Sequence, residues 1–440
     1  MRLRLWRRGI IRKGHEKKEK SEMSRYLAIS AGGGLLCLLC LPGMAWGMGG
    51  EGAAASLPAP YMIVPFLLML LAIAILPLVA EHWWEKNRNR AIVSALLGTP
   101  MFLYYAVTDP AALFHTLHEY FSFIVLLWSL FAIAGGIVFR GDLKATPQTN
   151  TLFLATGAVL ANLIGTTGAS MVLIYPLLRT NQERRITLHT FIFFIFIVSN
   201  CGGSLLPIGD PPLFLGFLRG VPFFWTLEYL WPDWLFVNGV LLAIYFVWDS
   251  VAFTREEVRD IVLDKTRVVP LKLEGRFNLF LLGGVVVSVA FIPTPWREGV
   301  MILLGLLSVR FTPKALREAN HFSWHAITEV AILFIGIFVT MIPALQILHA
   351  RGPSFGLTET WQFFWATGLL SSFLDNAPTY LSFTSLASGV VGVDPSHLLA
   401  LVEHERGMWL LHAISTGAVF MGANTYIGNA PNFMVKSICE

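Results

Sequence analysis

The sequence predicts an all-α polytopic membrane protein built from two inverted-topology repeats, each with a re-entrant helical hairpin and a broken helix. Three observations predict it: an apolar composition, a bias of Lys and Arg to alternate loops, and two matching Gly/Pro-interrupted segments.

Of the 440 residues, 55% are hydrophobic and 14% charged, with a mean hydropathy of +0.63. That is more apolar side chain than one water-soluble core can hide, so lipid must solvate much of the chain. The 33 Phe and 14 Trp agree, because aromatic rings fill lipid-facing surface and anchor helix ends at the headgroups. A formal charge of +4 is too mild to imply nucleic acid, and the basic residues sit in short loops rather than in a stripe. Cys37, Cys40, Cys201 and Cys439 offer one CxxC, inside LLCLLCL with no second pair, so neither a disulfide framework nor a zinc site is expected.

Residues 1–20 are strongly basic, and an apolar stretch from Tyr26 to Trp46 follows. A start at Met23 would give an ordinary short basic region, so residues 1–22 read as a misassigned start. Residues 23–60 read as a signal peptide or first membrane span plus a linker. Either version leaves residue 61 outside the cytoplasm.

Crossing a bilayer takes about 17 to 25 apolar residues. Such runs fall at 61–80, 91–108, 116–139, 188–208, 229–249, 278–295, 325–349 and 408–428, with a shorter one at 297–310. The stretches 151–177 and 361–387 carry Gly, Pro, Asn and Thr at their centres and read as hairpins that enter and return. Broken backbone at that depth survives only against protein or a wet cavity. The loop charges test the assignment, because Lys and Arg concentrate on the cytoplasmic side. One set of loops holds Lys86, Arg88, Arg90, Arg140, Lys144, Arg179, Arg184, Arg185, the 250–277 segment, Arg310, Lys314 and Arg317. The opposite set holds Arg219, Arg297, Arg351 and Arg406. This sorting works only if the two hairpins return to opposite faces.

An internal repeat accounts for the pattern. ATGAVLANLIGTTGAS (155–170) aligns with ATGLLSSFLDNAPTYL (366–381), which sets Ile164 against Asp375. PIGDPPLF (207–214) aligns with YIGNAPNF (426–433), setting Asp210 against Asn429, and Glu119 aligns with Glu329. The first transport repeat is then 61–249, the cytoplasmic inter-repeat loop 250–277, and the second repeat 278–440. The span at 229–249 predicts a counterpart near 448–468, so the second repeat reads as lacking its last helix. Inverted repeats with broken helices place substrate and ion sites where the copies meet at the bilayer midplane.

The first copy offers Asn162, Thr166 and Thr167 at its hairpin break, then Ser199, Asn200, Gly203 and Asp210. The second offers Asp375, Asn376 and Thr379, then Asn424, Thr425 and Asn429. Gly202, Gly209, Pro211, Pro212, Pro378, Gly422, Gly428 and Pro431 break the helices. Gly and Pro free backbone carbonyls, Asn and Thr add neutral oxygens, and a carboxylate supplies charge; together these suit a small hard cation. Half-helix N-termini in the same region suit an anion instead. Asp210 and Asp375 are the decisive pair and the sodium candidates, because an ionised acid deep in a membrane is costly unless paired, solvated or protonated. A helix cap is the structural alternative for either. Glu119 and Glu329, near the membrane edge, read as solvated span ends or as functional acids; His118, His189 and His412 as proton carriers or satisfied interfacial side chains, the latter favoured; and Ser170, Cys201 and Tyr380 carry no role.

SNCGGSLLPIGDPP, SSFLDNAPT and GANTYIGNAPNF resemble the paired motifs of the ion transporter superfamily, over about residues 60–440. That group includes NhaD-type sodium/proton antiporters, arsenite-pump membrane subunits and citrate or dicarboxylate carriers. The resemblance implies a homodimer in the cell inner membrane, with ions and substrate at the hairpin breaks and unwound helices. The tips read IGTTG and LDNAPT rather than Ser-Asn-Thr, which departs from the sodium-coupled dicarboxylate carriers. The leading sequence-based expectation is sodium/proton antiport by alternating access. The alternative is a sodium- or proton-coupled carrier of citrate or another organic anion. No cofactor is expected beyond Na⁺ and H⁺ as transported or coupling ions, the partners being lipid and a small cation or anion. No nucleophile-and-base set suggests an enzyme.

Overall fold

The computed structural model describes residues 57–257 and 272–439. The expectations for residues 1–22, for 23–56 and for Cys37 and Cys40 lie outside the described residues. In chain order the main elements begin with α1 (Val64–Val79), α2 (Asn87–Thr108), α3 (Pro110–Ala134), β1 (Val138–Arg140), α4 (Pro147–Thr180), α5 (Leu188–Ile197), α6 (Pro211–Leu218) and α7 (Trp225–Phe253). The second half holds β2 (Lys272–Glu274), α8 (Arg276–Phe291), α9 (Trp296–Phe311), α10 (His325–Ala350), α11 (Thr360–Ser371), α12 (Asn376–Val391), α13 (Glu405–Met421) and α14 (Ala430–Cys439). Among the described residues six helices are long and apolar enough to cross a membrane: Pro60–Val79, α2, α3, α4, α7 and α10. The protein is therefore a mostly helical, multi-pass membrane protein.

The first hairpin is α4. A straight helix of 34 residues would reach about 51 Å at 1.5 Å per residue. Instead, Asn150 and Asn181 at its two ends exchange side-chain hydrogen bonds of 2.8 and 3.1 Å. The fold-back occurs at Gly165, whose φ of 73° and ψ of 154° suit only a residue without Cβ. Its base is tied down by buried charges: Arg184 grips Asp249 of α7 through two bonds of 3.0 and 2.6 Å, and His189 lies 2.7 Å from the same carboxylate. The second hairpin is α11 with α12, and Phe363 meets Phe383 with ring centroids 6.4 Å apart. The most apolar stretch of α4 is 78% buried, against 22% for α7. Protein thus encloses the broken hairpin, as a non-helical backbone in lipid requires, while α7 offers its Leu, Phe and Trp outward.

Helices α3 and α10 cross antiparallel at the centre. Phe123 stacks on Phe334 at 5.0 Å, Tyr120 meets Phe338 at 5.8 Å, and the Tyr120 hydroxyl donates to Ala331 O at 2.8 Å. Helix α2 lies along α10 in the same direction, joined by Arg90–Glu329 (2.9 Å) near one end and Tyr105–Gln346 (2.8 Å) near the other. The base of the first hairpin meets the chain just past α3, where Arg179 donates to Phe139 O at 2.6 Å. The base of the second meets the end of α10, where His349 lies 3.0 Å from Val393 O.

Three sequence expectations need correction. The run 116–139 is not one span: the helix begins at Pro110 and ends at Ala134, and Val138–Arg140 forms a strand paired antiparallel with Lys272–Glu274. The described chain stays mostly helical with only this two-stranded ribbon, and the 250–277 segment ends in structure; Gly135 and Gly136 stop α3 just ahead of the β-branched Ile137 and Val138. Glu119 is not a solvated span end, since it is 4% exposed and held by Arg219. The hairpin-tip alignment is off by one residue, as the contacts below establish.

Candidate functional site

Both hairpin tips are fastened to the broken helices by the same set of contacts. The amide of Thr166 donates to Gly209 O (2.8 Å), and that of Asn376 to Gly428 O (3.2 Å). The Asn162 side chain donates to Gly202 O (2.6 Å) and accepts from Leu205 N (2.7 Å). At the second hairpin Ser372 donates to Met421 O (3.1 Å) and accepts from Asn424 Nδ2 (2.9 Å). A Cβ on Gly209 would strike Gly203 O, and one on Gly428 would come within 2.5 Å of Gly422 O. Thr166 and Asn376 are therefore counterparts, so Asp375 corresponds to Gly165 and not to Ile164. The first tip needs Gly for its positive φ, and the second uses Asp as a helix cap.

Asp210 is the hub. It is 1% exposed, and it precedes Pro211 and Pro212 at the start of α6. An Asp at that position would ordinarily accept from the first-turn amides, but two prolines supply no N–H. Its carboxylate is free to face across the junction. Oδ1 accepts from Thr166 Oγ1 at 2.9 Å and from Asn429 Nδ2 at 3.0 Å, and Oδ2 accepts from Asn376 Nδ2 at 2.6 Å. One acid thus joins both hairpin tips and both broken helices. The network continues from Asn429 to Asn200 Oδ1 (3.2 Å) and Ser199 O (3.3 Å), and from Asn200 to Asn432 Oδ1 (2.5 Å). Asn432 then donates to Gly422 O and Thr425 O, both at 3.0 Å. Asn376 Oδ1 is buried and has no hydrogen-bond partner among the described residues, which leaves an acceptor in reserve beside Asp210.

Four helical segments begin here: the second half of α4 at Thr166, α6 after Asp210, α12 after Asp375 and α14 after Asn429. Their N-termini carry partial positive charge. They border a cavity of about 80 Å³, lined also by α3 and α10, with Thr167, Asp210, Asp375 and Asn429 in its wall. At the 10–15 Å³ that one water needs, that is room for roughly six. Asp375 caps α12 through Ala377 N (3.0 Å), so the capping alternative holds for it while it also faces the cavity.

Of the sequence candidates, Thr166, Asn200, Asp210, Asn376 and Asn429 meet at the hub. Ser199 supplies a carbonyl there and shares its hydroxyl with Ser170 at 2.8 Å. Gly203 packs beneath Thr166, where a Cβ would come within 2.5 Å of the Thr methyl. Asn162, Asn424 and Thr425 are fasteners of tip to broken helix and do not reach Asp210; Thr425 bonds Ser372 O at 2.5 Å. Thr379 turns back to Asp375 O at 2.9 Å. Asn432, Ser170 and Ser372 were not among the candidates. Asn432 follows Pro431 directly, and an amide beside a helix-breaking proline is the signal that would have found it. Among the described residues no three His, Cys, Asp or Glu cluster to hold a metal ion.

A family model described as "Putative citrate transport" matches residues 55–440. No curated protein matches the chain. With a match over that much of its length, the chain belongs to this citrate transport family and is a secondary transporter of the membrane.

Proposed function

We propose that the protein is a cation-coupled carrier of citrate or a related organic anion in the inner membrane, with Na⁺ or H⁺ held at Asp210 and Asp375. The convergence of four helix N-termini on one cavity carries this reading. Each is worth about +0.5 of a charge, roughly +2 together, which two ionised carboxylates would cancel. Na⁺ or H⁺ on an acid leaves the cavity positive, and an anion then binds favourably. Cation and anion thereby bind cooperatively, which is the thermodynamic content of symport. The reserve oxygen of Asn376 suits the cation: rotating the amide turns Oδ1 towards the ion that joins Asp210.

Inverted topology is part of the proposal. It is supported by the antiparallel crossing of the counterparts α3 and α10, by hairpin bases seated at their opposite ends, and by the recurring tip contacts. Alternating access would then exchange the two halves' roles around the hub.

Sodium/proton exchange is the second reading, favoured because two carboxylates and, among the described residues, no Lys or Arg line the cavity. Proteoliposomes separate them. Uptake of labelled citrate driven by an imposed Na⁺ or H⁺ gradient is the expected result. Proton movement on adding Na⁺ alone, with no citrate flux under any gradient, would sink the carrier reading and favour exchange.

A further inference from the structure

We propose that the ion pair between Glu119 and Arg219 is the outer gate of the transport cycle, closed here and broken each time the site opens to the outside. This rests on alternating access as proposed above, and on the loop charges for the naming of the two sides.

The stack of Phe123 on Phe334 divides the centre of the molecule. The cavity is lined by α3 only from Phe123 to Phe131 and by α10 only from Ala326 to Phe334. Because these helices are antiparallel, both stretches lie on the same side of the stack, towards the ends that lead to Arg140 and follow Arg317. Those loops are the basic, cytoplasmic ones. Glu119 lies one helical turn beyond Phe123 on the opposite side. Its Oε1 and Oε2 accept from Arg219 Nε and Nη2 at 2.7 and 2.9 Å, and both residues are nearly inaccessible, at 4% and 7% exposure. His115 lies 3.8 Å from the same carboxylate. Arg219 O accepts from Leu398 N at 2.7 Å, which draws the loop after the second hairpin over the same place. The site thus has space on its cytoplasmic side and a sealed ion pair on its outer side.

The pair is coupled mechanically to the hub. Helix α6 begins after Asp210 and ends before Arg219, a rigid strut of eight residues, about 12 Å. Any movement of Asp210 relative to α3 must move Arg219 relative to Glu119. The counterpart acid, Glu329, pairs with Arg90 of α2 instead, and neither of those helices carries a hub residue. The two related acids therefore do different work: one joins α3 to the hub's strut, the other joins α10 to a span alongside it.

The test uses Glu119→Cys/Arg219→Cys, which removes both charges and leaves neither orphaned. Untreated, the variant should turn over in proteoliposomes. Bridging the two thiols with a bifunctional methanethiosulfonate should cut turnover at least tenfold, and reductant should restore it. Unchanged turnover in the bridged protein would overturn the gate, because a purely structural pair tolerates a permanent link. Should the double variant not turn over, Glu119→Gln combined with Ala326→Cys gives a second readout. Labelling of the thiol introduced at position 326 by an impermeant maleimide from the cytoplasmic side, above the parent chain's background, should slow several-fold as the population shifts outward. An unchanged labelling rate would overturn the proposal. The labelling needs no knowledge of the cargo, so a parent chain that moves neither citrate nor Na⁺ would refute the proposed function and leave this result readable.

Discussion

Asp210→Asn separates the hub's structural role from its charge. The substitution is isosteric, and one side-chain oxygen remains to accept from Thr166 and Asn429. The new amide would face the Asn376 NH₂, two donors in opposition. Asn376 relieves this by rotating, because its own Oδ1 is buried without a partner among the described residues and can accept from the new NH₂. Charge-assisted hydrogen bonds are worth about 1.5–3 kcal/mol and neutral ones about 0.5–1.5, so exchanging three of them gives up about 3 kcal/mol. Removing a buried charge returns several kcal/mol in desolvation, so the folded protein should survive with little change in its thermal midpoint. The coupling ion has no such compensation. If the carboxylate attracts Na⁺ by about 3 kcal/mol more than an amide does, Na⁺ weakens roughly a hundredfold at 1.4 kcal/mol per decade, and a proton has no site at all, because an amide takes none up near neutral pH. Detergent-solubilised protein should melt within a few degrees of the parent, while the Na⁺ or H⁺ dependence of transport disappears over the accessible range. A variant that transports with the parent's half-saturating cation concentration would refute the hub as the coupling site.

Substitutions at three further positions probe the surroundings. Gly209→Ala should abolish folded yield in size-exclusion chromatography, because its Cβ would strike the Gly203 carbonyl at a backbone crossing that cannot shift. Asp375→Ala should lose about 1 kcal/mol of stability with the α12 cap, and Asp375→Ser should recover it; if Asp375 also faces the coupling ion, Ser restores the melting temperature without restoring transport. Asp249→Ala should cost about 3–5 kcal/mol, since it leaves the buried Arg184 guanidinium and His189 without their shared carboxylate, and a thermal melt reads the loss directly.

Much of the architecture was legible from the chain because lipid imposes coarse rules: length and apolarity locate spans, and Lys and Arg sort the loops. Both hairpins fold back inside the windows assigned to them, at Gly165 and Asp375. The strand at Val138–Arg140 was hidden because Ile137, Val138 and Phe139 continue the apolar run of α3, and period alone does not separate three strand residues from a helix end. For Glu119 the sequence leaves a solvated end and a functional acid both open, and only the structure excludes the first. Its partner is 100 residues away at the end of an eight-residue helix, and nothing local marks Arg219 as buried. At the site, residue type identified Asp210, Asn376 and Asn429 but did not separate hub from fastener. Asn162 and Asn424 look equivalent to Asn429 in sequence, yet Asn162 serves the neighbouring backbone and Asn424 the Ser372 hydroxyl. What distinguishes the hub is the proline pair after Asp210, which offers no N–H, while the next amide, Leu213 N, goes to the Asp210 backbone carbonyl at 3.1 Å and leaves the carboxylate free to reach across.

The departure from symmetry has a functional logic. The amide-to-carbonyl contact that fastens each tip recurs in both hairpins, as a duplication of the frame would require. The charged positions differ: Asp210 stands against Asn429, and Asp375 against Gly165. Had both broken helices kept an acid, two carboxylates would face each other across the 3.0 Å now spanned by the Asn429 bond. Such a pair holds a proton or a cation permanently near neutral pH. An amide in that place completes the junction without adding charge, so the state of Asp210 can change within a cycle. The same substitution keeps the sum of helix ends and acids close to zero in the empty site, and one added positive charge then suffices to favour an anion. On the proposed mechanism, the recurring frame would supply the two alternating geometries, and the acids at Asp210 and Asp375, neither matched by an acid in the other half, would supply the coupling.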